Sequence, residues 1–320
     1  MKEQPRIADL IKNVNFEGFL LVKNAAQKTA STGSKYLDMT LVDISGEINA
    51  KMWDGIILPP PNGSTIKVRA QVQEFKEHLQ LRIDKMRMSV GEDEVDMNQL
   101  IPCAPRPADD MMDEILNRAD AIKDKEMKAL VLKRLEEAGD RLMLMPAALK
   151  LHHAQRSGLL NHTTTMLRGA QYMCELYPFL DADLLAAGVI LHDLCKIEEM
   201  NCNELGLVTE YSAEGNLLGH IVMGVSRLDR CGRELGVDSE LLMMLEHMIL
   251  SHHETPEFGS PKGPMFPEAE VLHLLDDMDA KMFEMKSDIE KVNPGSFTEP
   301  IWSLDNRKLY RRKNPGDKQI

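Results

Sequence analysis

Between residues 14 and 88 apolar side chains recur at every second position. Residues 36–42 and 48–53 alternate on either side of Ser45-Gly46, a turn pair. Residues 65–75 and 79–86 do the same about Lys76-Glu77-His78. With an opening strand near 16–23, the pattern predicts five short strands and two hairpins, which suits a small, partly open barrel of the OB type. Alternate side chains of a strand point to opposite faces. Leu37, Met39, Leu41, Ile48, Ala50, Met52, Ile66, Val68, Ala70 and Val72 are therefore expected inside. Tyr36, Lys51, Trp53, Lys67, Arg69, Phe75 and Arg82 are expected outside. Rings mixed with Lys and Arg are what single-stranded nucleic acid needs, the rings stacking on bases and the cations following phosphates. The alternative for Trp53 and Phe75 is packing against a second domain or a partner subunit.

The period then changes. Residues 91–107 carry acids and three prolines without periodicity and read as a linker. From 108 onward apolar residues recur three and four apart, predicting helices over 109–121 and 123–138. More are expected near 145–154, 159–177, 181–200, 213–235, 238–252 and 267–285. The fold class is α+β multidomain: an OB-type barrel over 1–90, a linker over 91–107 and an all-helical domain over 108–320. The basic stretch Arg307-Lys308-Leu309-Tyr310-Arg311-Arg312-Lys313 reads by default as a solvated end, with a phosphate contact as the alternative.

Charge sharpens this division. The chain of 320 residues carries a net −13, yet residues 1–90 hold 13 Lys and Arg against 10 Asp and Glu. The remainder holds 25 against 41. A mildly basic module joined to an acidic one fits a binding domain attached to something else. No apolar run approaches a membrane span, and the start lacks the apolar core of a signal peptide. Five cysteines, none spaced as CxxC, suit free thiols in a reducing cytoplasm and argue against zinc-finger sites.

Nine of the ten histidines fall between 152 and 273. His162, His192, Asp193, His220, His252, His253 and Asp276 follow in order, with His192-Asp193 inside the helix expected over 184–200. Imidazole and carboxylate suit divalent Mn, Fe, Zn or Mg. One ion could take His162, His192, Asp193 and Asp276. His220, His252 and His253 supply imidazoles for a second, and Asp193 has two oxygens with which to bridge the pair. Two such ions can activate water and steady the leaving oxygen of a phosphodiester. Lys196 shares the helical face of Asp193 and could neutralise a phosphate oxygen in the transition state. Asp193 and Lys196 are thus the candidate catalytic residues. His152 and His153 are candidates for the substrate path, together with Asp279. His247 reads as structural, and His273 could orient Asp276 from behind.

The ordered set His162…His192-Asp193-x-x-Lys196…Asp276 resembles the HD superfamily of metal-dependent phosphohydrolases. His220 and Ser251-His252-His253-Glu254 resemble its multi-histidine branch. More closely, the chain is similar to the YhaM-type 3′-5′ exoribonucleases. The matching stretches are Tyr36-Leu37-Asp38-Met39-Thr40-Leu41-Val42-Asp43, Ser157-Gly158-Leu159-Leu160-Asn161-His162-Thr163, Ile249-Leu250-Ser251-His252-His253, Gly259-Ser260-Pro261, Leu275-Asp276-Asp277-Met278-Asp279-Ala280-Lys281-Met282 and Leu304-Asp305-Asn306-Arg307. The resemblance implies an N-terminal OB fold, an all-α HD domain, divalent metal and attack on single strands from the 3′ end. Departures are Cys195, where relatives carry small residues, and Glu254, a position often Gly in the exonuclease group. Glu254 is shared with cyclic-dinucleotide phosphodiesterases, but the Gly-Tyr-Pro triplet of that group is missing from 255–261.

The expectation is a metal-dependent 3′-5′ exonuclease of the cytoplasm acting on single-stranded RNA, with single-stranded DNA as a further substrate. Two ions per chain are expected, Mn foremost, with no membrane partner and homo-oligomerisation left open. The rivals are a phosphohydrolase of small or cyclic nucleotides and a non-catalytic single-strand binder with a structural metal. Open coordination positions argue against the last.

Overall fold

Asp43 explains why the first hairpin turns where it does. Its Oδ1 accepts the backbone N–H groups of Ser45 at 2.7 Å and Gly46 at 3.1 Å, a side-chain mimic of a backbone turn. Its Oδ2 accepts the N–H of Ile7 at 2.7 Å, tying the start of the chain to the same corner. The molecule is known from a computed structural model, which describes residues 4–30, 33–53, 58–75, 78–148, 155–203 and 205–313. It divides into two compact units, 1–103 and 104–320, each with its own apolar core. The expected linker falls across that boundary: residues 91–93 and 97–99 form 3₁₀ turns of the first unit.

The first unit is a closed five-stranded barrel. Its strands are β1 (Asn15–Thr29), β2 (Lys35–Asp43), β3 (Gly46–Met52), β4 (Thr65–Phe75) and β5 (His78–Met88). Their order, β1-β2-β3-β5-β4, closes β4 back on β1 and is that of an OB fold. All ten residues expected inside are in the barrel core. β1 is longer than the alternation predicts. A bulge between Val22 and Asn24 bends it, so that its first half pairs with β4 and its second with β2. Its polar second half has no alternation to read. Closure depends on a parallel pairing of β3 with β5, Asn49 to Gln80 through Lys51 to Arg82. Residues 76 and 77, expected in the β4–β5 turn, lie outside the described residues.

The second unit is helical: α1 (Ala108–Asp120), α2 (Lys125–Ala138), α3 (Gly158–Leu176), α4 (Ala182–Leu191), α5 (Lys196–Glu199), α6 (Ala213–Leu235), α7 (Ser239–Ser251) and α8 (Pro267–Glu290). Asp124, Asp181 and Asp238 cap α2, α4 and α7 by accepting first-turn N–H groups. α4 is apolar on all sides and buried from Leu184 onward except at Ala186, as a central helix must be. Around it pack α1, α2, α3, α7 and α8.

Three features depart from the expected pattern. The helix expected over 181–200 stops at Leu191, and residues 192–195 form turns before α5 begins. No helix covers 145–148, and the rest of the stretch expected to 154 lies outside the described residues. An unexpected hairpin of β6 (Met200–Cys202) and β7 (Val208–Tyr211) precedes α6. Among the described residues no helix is long and apolar enough to cross a membrane.

Candidate metal centre

The turn after α4 brings His192 and Asp193 to one point. The backbone there tightens to i→i+3 bonds, Leu194 N–H to Leu191 O and Lys196 N–H to Asp193 O. His162 reaches the same point from α3, Asp276 from α8, and His252 and His253 from just beyond α7. His220 arrives from α6, which is kinked one residue earlier. Gly219 has φ 71 and ψ 160, a conformation open essentially to glycine alone. Gly215 lets α6 approach α5: a Cβ there would lie 2.1 Å from the carbonyl oxygen of Glu199.

Each of the five histidines uses Nδ1 outward and Nε2 inward. Nδ1 of His192 meets Val189 O at 2.8 Å, that of His252 meets Ile249 O at 2.7 Å, and that of His253 meets Phe258 O at 2.7 Å. Carboxylates hold the other two: Asp279 Oδ2 lies 2.7 Å from His162 Nδ1, and Glu199 Oε1 lies 3.1 Å from His220 Nδ1. A ring whose Nδ1 donates in this way presents Nε2 as a bare lone pair, the arrangement metal-ligating histidines show.

The inward atoms fall into two groups about Asp193. Its Oδ2 lies 3.4 Å from His192 Nε2 and 3.8 Å from His162 Nε2. Its Oδ1 lies 3.3 Å from His220 Nε2 and 3.7 Å from His252 Nε2. Asp276 Oδ1 stands 3.2 Å from His162 Nε2, while its Oδ2 stands 3.9 Å from His253 Nε2. His162, His192 and Asp193 form one candidate metal group, and His220, His252 and His253 another. Asp193 Oδ1, His220 Nε2 and His252 Nε2 are buried without a hydrogen-bond partner. Three such atoms aimed at one space are costly unless something positive sits among them, so the donor set fits divalent metal.

Charge follows the geometry. Burial works against ionisation of Asp193, but Lys196, His192 and His220 hold it well below the usual carboxylate range. Lys196 Nζ sits 2.7 Å from Asp193 Oδ2, and despite burial its ammonium is held charged by Asp193 and Asp276. Burial pushes His252 and His253 down, leaving them neutral. Burial also opposes a charge on His162, yet its bonds to Asp276 and Asp279 push it up to about 10. A proton there occupies ground that a cation would otherwise hold.

Other expected positions land elsewhere. Asp279, expected along the substrate path, lies behind His162. His152 and His153 are outside the described residues. His273 does not touch Asp276 in the way expected; its Nδ1 meets His252 O at 2.8 Å. His247 accepts the Met265 N–H at 3.1 Å and packs on Phe266. Glu199 and Ser260 were not anticipated. Glu199 Oε1 also accepts the His220 backbone N–H at 2.9 Å, and Ser260 Oγ accepts that of His253 at 3.0 Å. The Gly259-Ser260-Pro261 stretch was the one available signal. Glu254 adopts φ 65, the left-handed region that favours glycine.

On the barrel, Tyr36 stacks on Trp53 at 4.7 Å between centroids, and Lys51 Nζ lies 5.8 Å from the Tyr36 ring and 5.1 Å from that of Phe75. Arg82 stands opposite Lys51 in register. Lys67 and Arg69 lie apart from this group, toward the other end of β4. There Lys67 covers the Phe19 ring at 5.3 Å and Arg69 bonds Glu17 at 2.9 Å.

Comparison with known proteins resolves the kinship. The HD domain family matches residues 159–281. The 3′-5′ exoribonuclease YhaM of Bacillus subtilis strain 168 is 40% identical over 299 residues, 92% of this chain and 93% of that protein. The chain belongs to the YhaM family of 3′-5′ exoribonucleases. The YhaM proteins of Bacillus licheniformis and Shouchella clausii are each 39% identical, again over 92% of this chain and over 93% and 92% of theirs. All seven candidate ligands lie within the HD match. An HD domain implies divalent metal binding, in agreement with the donor set.

Proposed function

We propose that the protein is a metal-dependent 3′-5′ exoribonuclease that hydrolyses phosphodiester bonds of single-stranded RNA, and of single-stranded DNA as a second substrate. The observation that carries this reading is the pair of donor groups on the two oxygens of one buried aspartate, with five imidazole Nε2 atoms turned inward. Family membership supports it. His162, His192, Asp193 and Asp276 would hold one ion, and Asp193, His220, His252 and His253 a second, with Mn the ion of choice. Such ions supply Lewis acidity toward phosphate oxygens and make water a better nucleophile. The chain's own contribution is orientation: Asp279, Glu199 and three backbone carbonyls fix the rings. Lys196 keeps Asp193 ionised and brings a positive charge to where negative charge gathers on phosphate. All these side chains come from one chain, so no second subunit is needed to complete the set.

Tyr36, Lys51, Trp53, Phe75 and Arg82 are proposed to hold the strand on the barrel, the rings stacking on bases. Lys67 is offered as a secondary phosphate contact, and Arg69 likewise once it parts from Glu17. The decisive experiment incubates purified protein and Mn with a 5′-labelled single-stranded oligonucleotide. A ladder shortening from the 3′ end, abolished by chelator, is expected. An intact oligonucleotide together with hydrolysis of a free or cyclic nucleotide would overturn this reading in favour of a small-nucleotide phosphohydrolase.

A further inference from the structure

The last segment of the helical unit departs from its surroundings in charge and in form. Residues 104–290 hold 18 Lys and Arg against 34 Asp and Glu, whereas 291–313 hold six against two. That segment folds back on itself as a ribbon. Thr298 N–H donates to Leu309 O at 2.9 Å, Arg311 N–H to Ser296 O at 2.9 Å and Ile301 N–H to Arg307 O at 3.0 Å, and Phe297 faces Tyr310 across a bridge. One face of the ribbon is turned in. Thr298 and Leu304 are buried, and the Arg311 guanidinium donates to the carbonyls of Glu290 and Val292 at the end of α8.

The other face is solvent-exposed and alternates Lys308, Tyr310, Arg312, cation–ring–cation at the period of a strand. Phe297 lies beside Tyr310 with ring centroids 5.1 Å apart. Phe297 is 63% exposed, Tyr310 49% and Trp302 72%, too much ring surface for an end that merely solvates charge. Trp302 borders a groove of about 520 Å³ between the end of α8 and the ribbon, lined also by Phe283 and Val292. Lys308 and Arg312 are both exposed.

We propose that this ribbon is a second single-strand-binding surface, built into the catalytic unit itself: Tyr310, Phe297 and Trp302 stack bases while Lys308 and Arg312 take phosphates. The charge complementarity selects the occupant, since a polyanion meets repulsion over most of this acidic unit and attraction here. α8 carries Asp276 into the metal centre and runs on to the ribbon, roughly 20 Å further by helical rise. The surface therefore stands within reach of a short strand whose end lies at the metal. The inference rests on the reading of the protein as a single-strand exoribonuclease.

The test measures binding without hydrolysis, so that the two ideas fail separately. A fluorescent single-stranded RNA is titrated into full-length protein in chelator over a range of salt. Lys308→Glu with Arg312→Glu should weaken binding at least tenfold and flatten the salt dependence, because two phosphate contacts are lost. Lys125→Glu with Lys133→Glu on α2, an equal change of net charge elsewhere, should not. Tyr310→Ala should cost roughly fivefold or more. Lys308→Gln with Arg312→Gln removes both charges while keeping polar side chains and should reproduce the direction of the charge reversal in a folded protein. Equal affinities and salt slopes for the ribbon and α2 variants would overturn the proposal. Tight binding by a wild type that cuts no RNA would count against the exoribonuclease reading alone.

Discussion

Asp193 concentrates the chemistry of the site in one side chain. Its two oxygens face different imidazoles, His192 and His220, at 3.4 and 3.3 Å. Asp193→Asn keeps the shape but removes the charge that two cations would share. Hydrolysis is expected to fall to background and bound metal to drop in elemental analysis; a full metal complement with normal turnover would refute the bridging role. Lys196 differs, because it touches Asp193 but offers no lone pair when charged. Lys196→Ala should retain metal while turnover at saturating substrate falls about 10²–10³-fold, the cost of one preorganised charge of roughly 3–4 kcal/mol. Unchanged turnover would reject that role. At this scale the candidate ligands stood out because His and Asp are chemically conspicuous, whereas Glu199 and Ser260 did not. They act through geometry alone, a carboxylate across 21 positions and a hydroxyl across seven. Nothing in the local sequence of Glu199 announces a partner that distant, and Ser260 is marked only by the Gly259-Ser260-Pro261 stretch.

Elements place these groups, and the places where elements break matter most. The apolar period of residues 181–200 continues smoothly through His192, yet the helix ends there. Periodicity reports which face is buried, not which hydrogen bond closes the turn. The kink at Gly219 is a second such break inside α6. It turns the next residue, His220, so that both its backbone N–H and its Nδ1 meet Glu199. Gly219→Ala forces a side chain into a region that tolerates glycine alone and should cost about 1–3 kcal/mol of stability. Thermal unfolding should reveal that loss. Metal titration should show weaker binding on the His220 side, by about 10–100-fold if Glu199 loses its grip. Wild-type stability and metal affinity in that variant would show that the kink is not required. The β-barrel strands, by contrast, were readable from alternation except where β1 turns polar after its bulge. The parallel β3–β5 pairing joins residues about 30 positions apart, for which a local pattern carries no information.

At the scale of the whole molecule, the chain forms two units with separate cores. Each core is complete in itself, so a protein beginning at Ala104 should fold and retain the metal set, which lies wholly between residues 162 and 276. Removing the barrel removes the stacked pair Tyr36–Trp53 and the Lys51 cation between its rings. Each lost base stack is worth about 1–3 kcal/mol of binding, and each lost phosphate contact lessens the fall of affinity with salt. Capture of a long single strand should therefore suffer while the chemical step does not. The comparison is between full-length and truncated protein, each given a long oligonucleotide and a dinucleotide. On the long substrate the truncated protein should show a KM raised at least about tenfold with kcat nearly kept, and on the dinucleotide both proteins should perform alike. If truncation leaves the long substrate equally well captured, the barrel does not hold the strand. Trp53 at 48% exposure and Phe75 at 52% would then be better explained as contacts with another protein surface. A loss confined to kcat would instead mean that the barrel shapes the metal site.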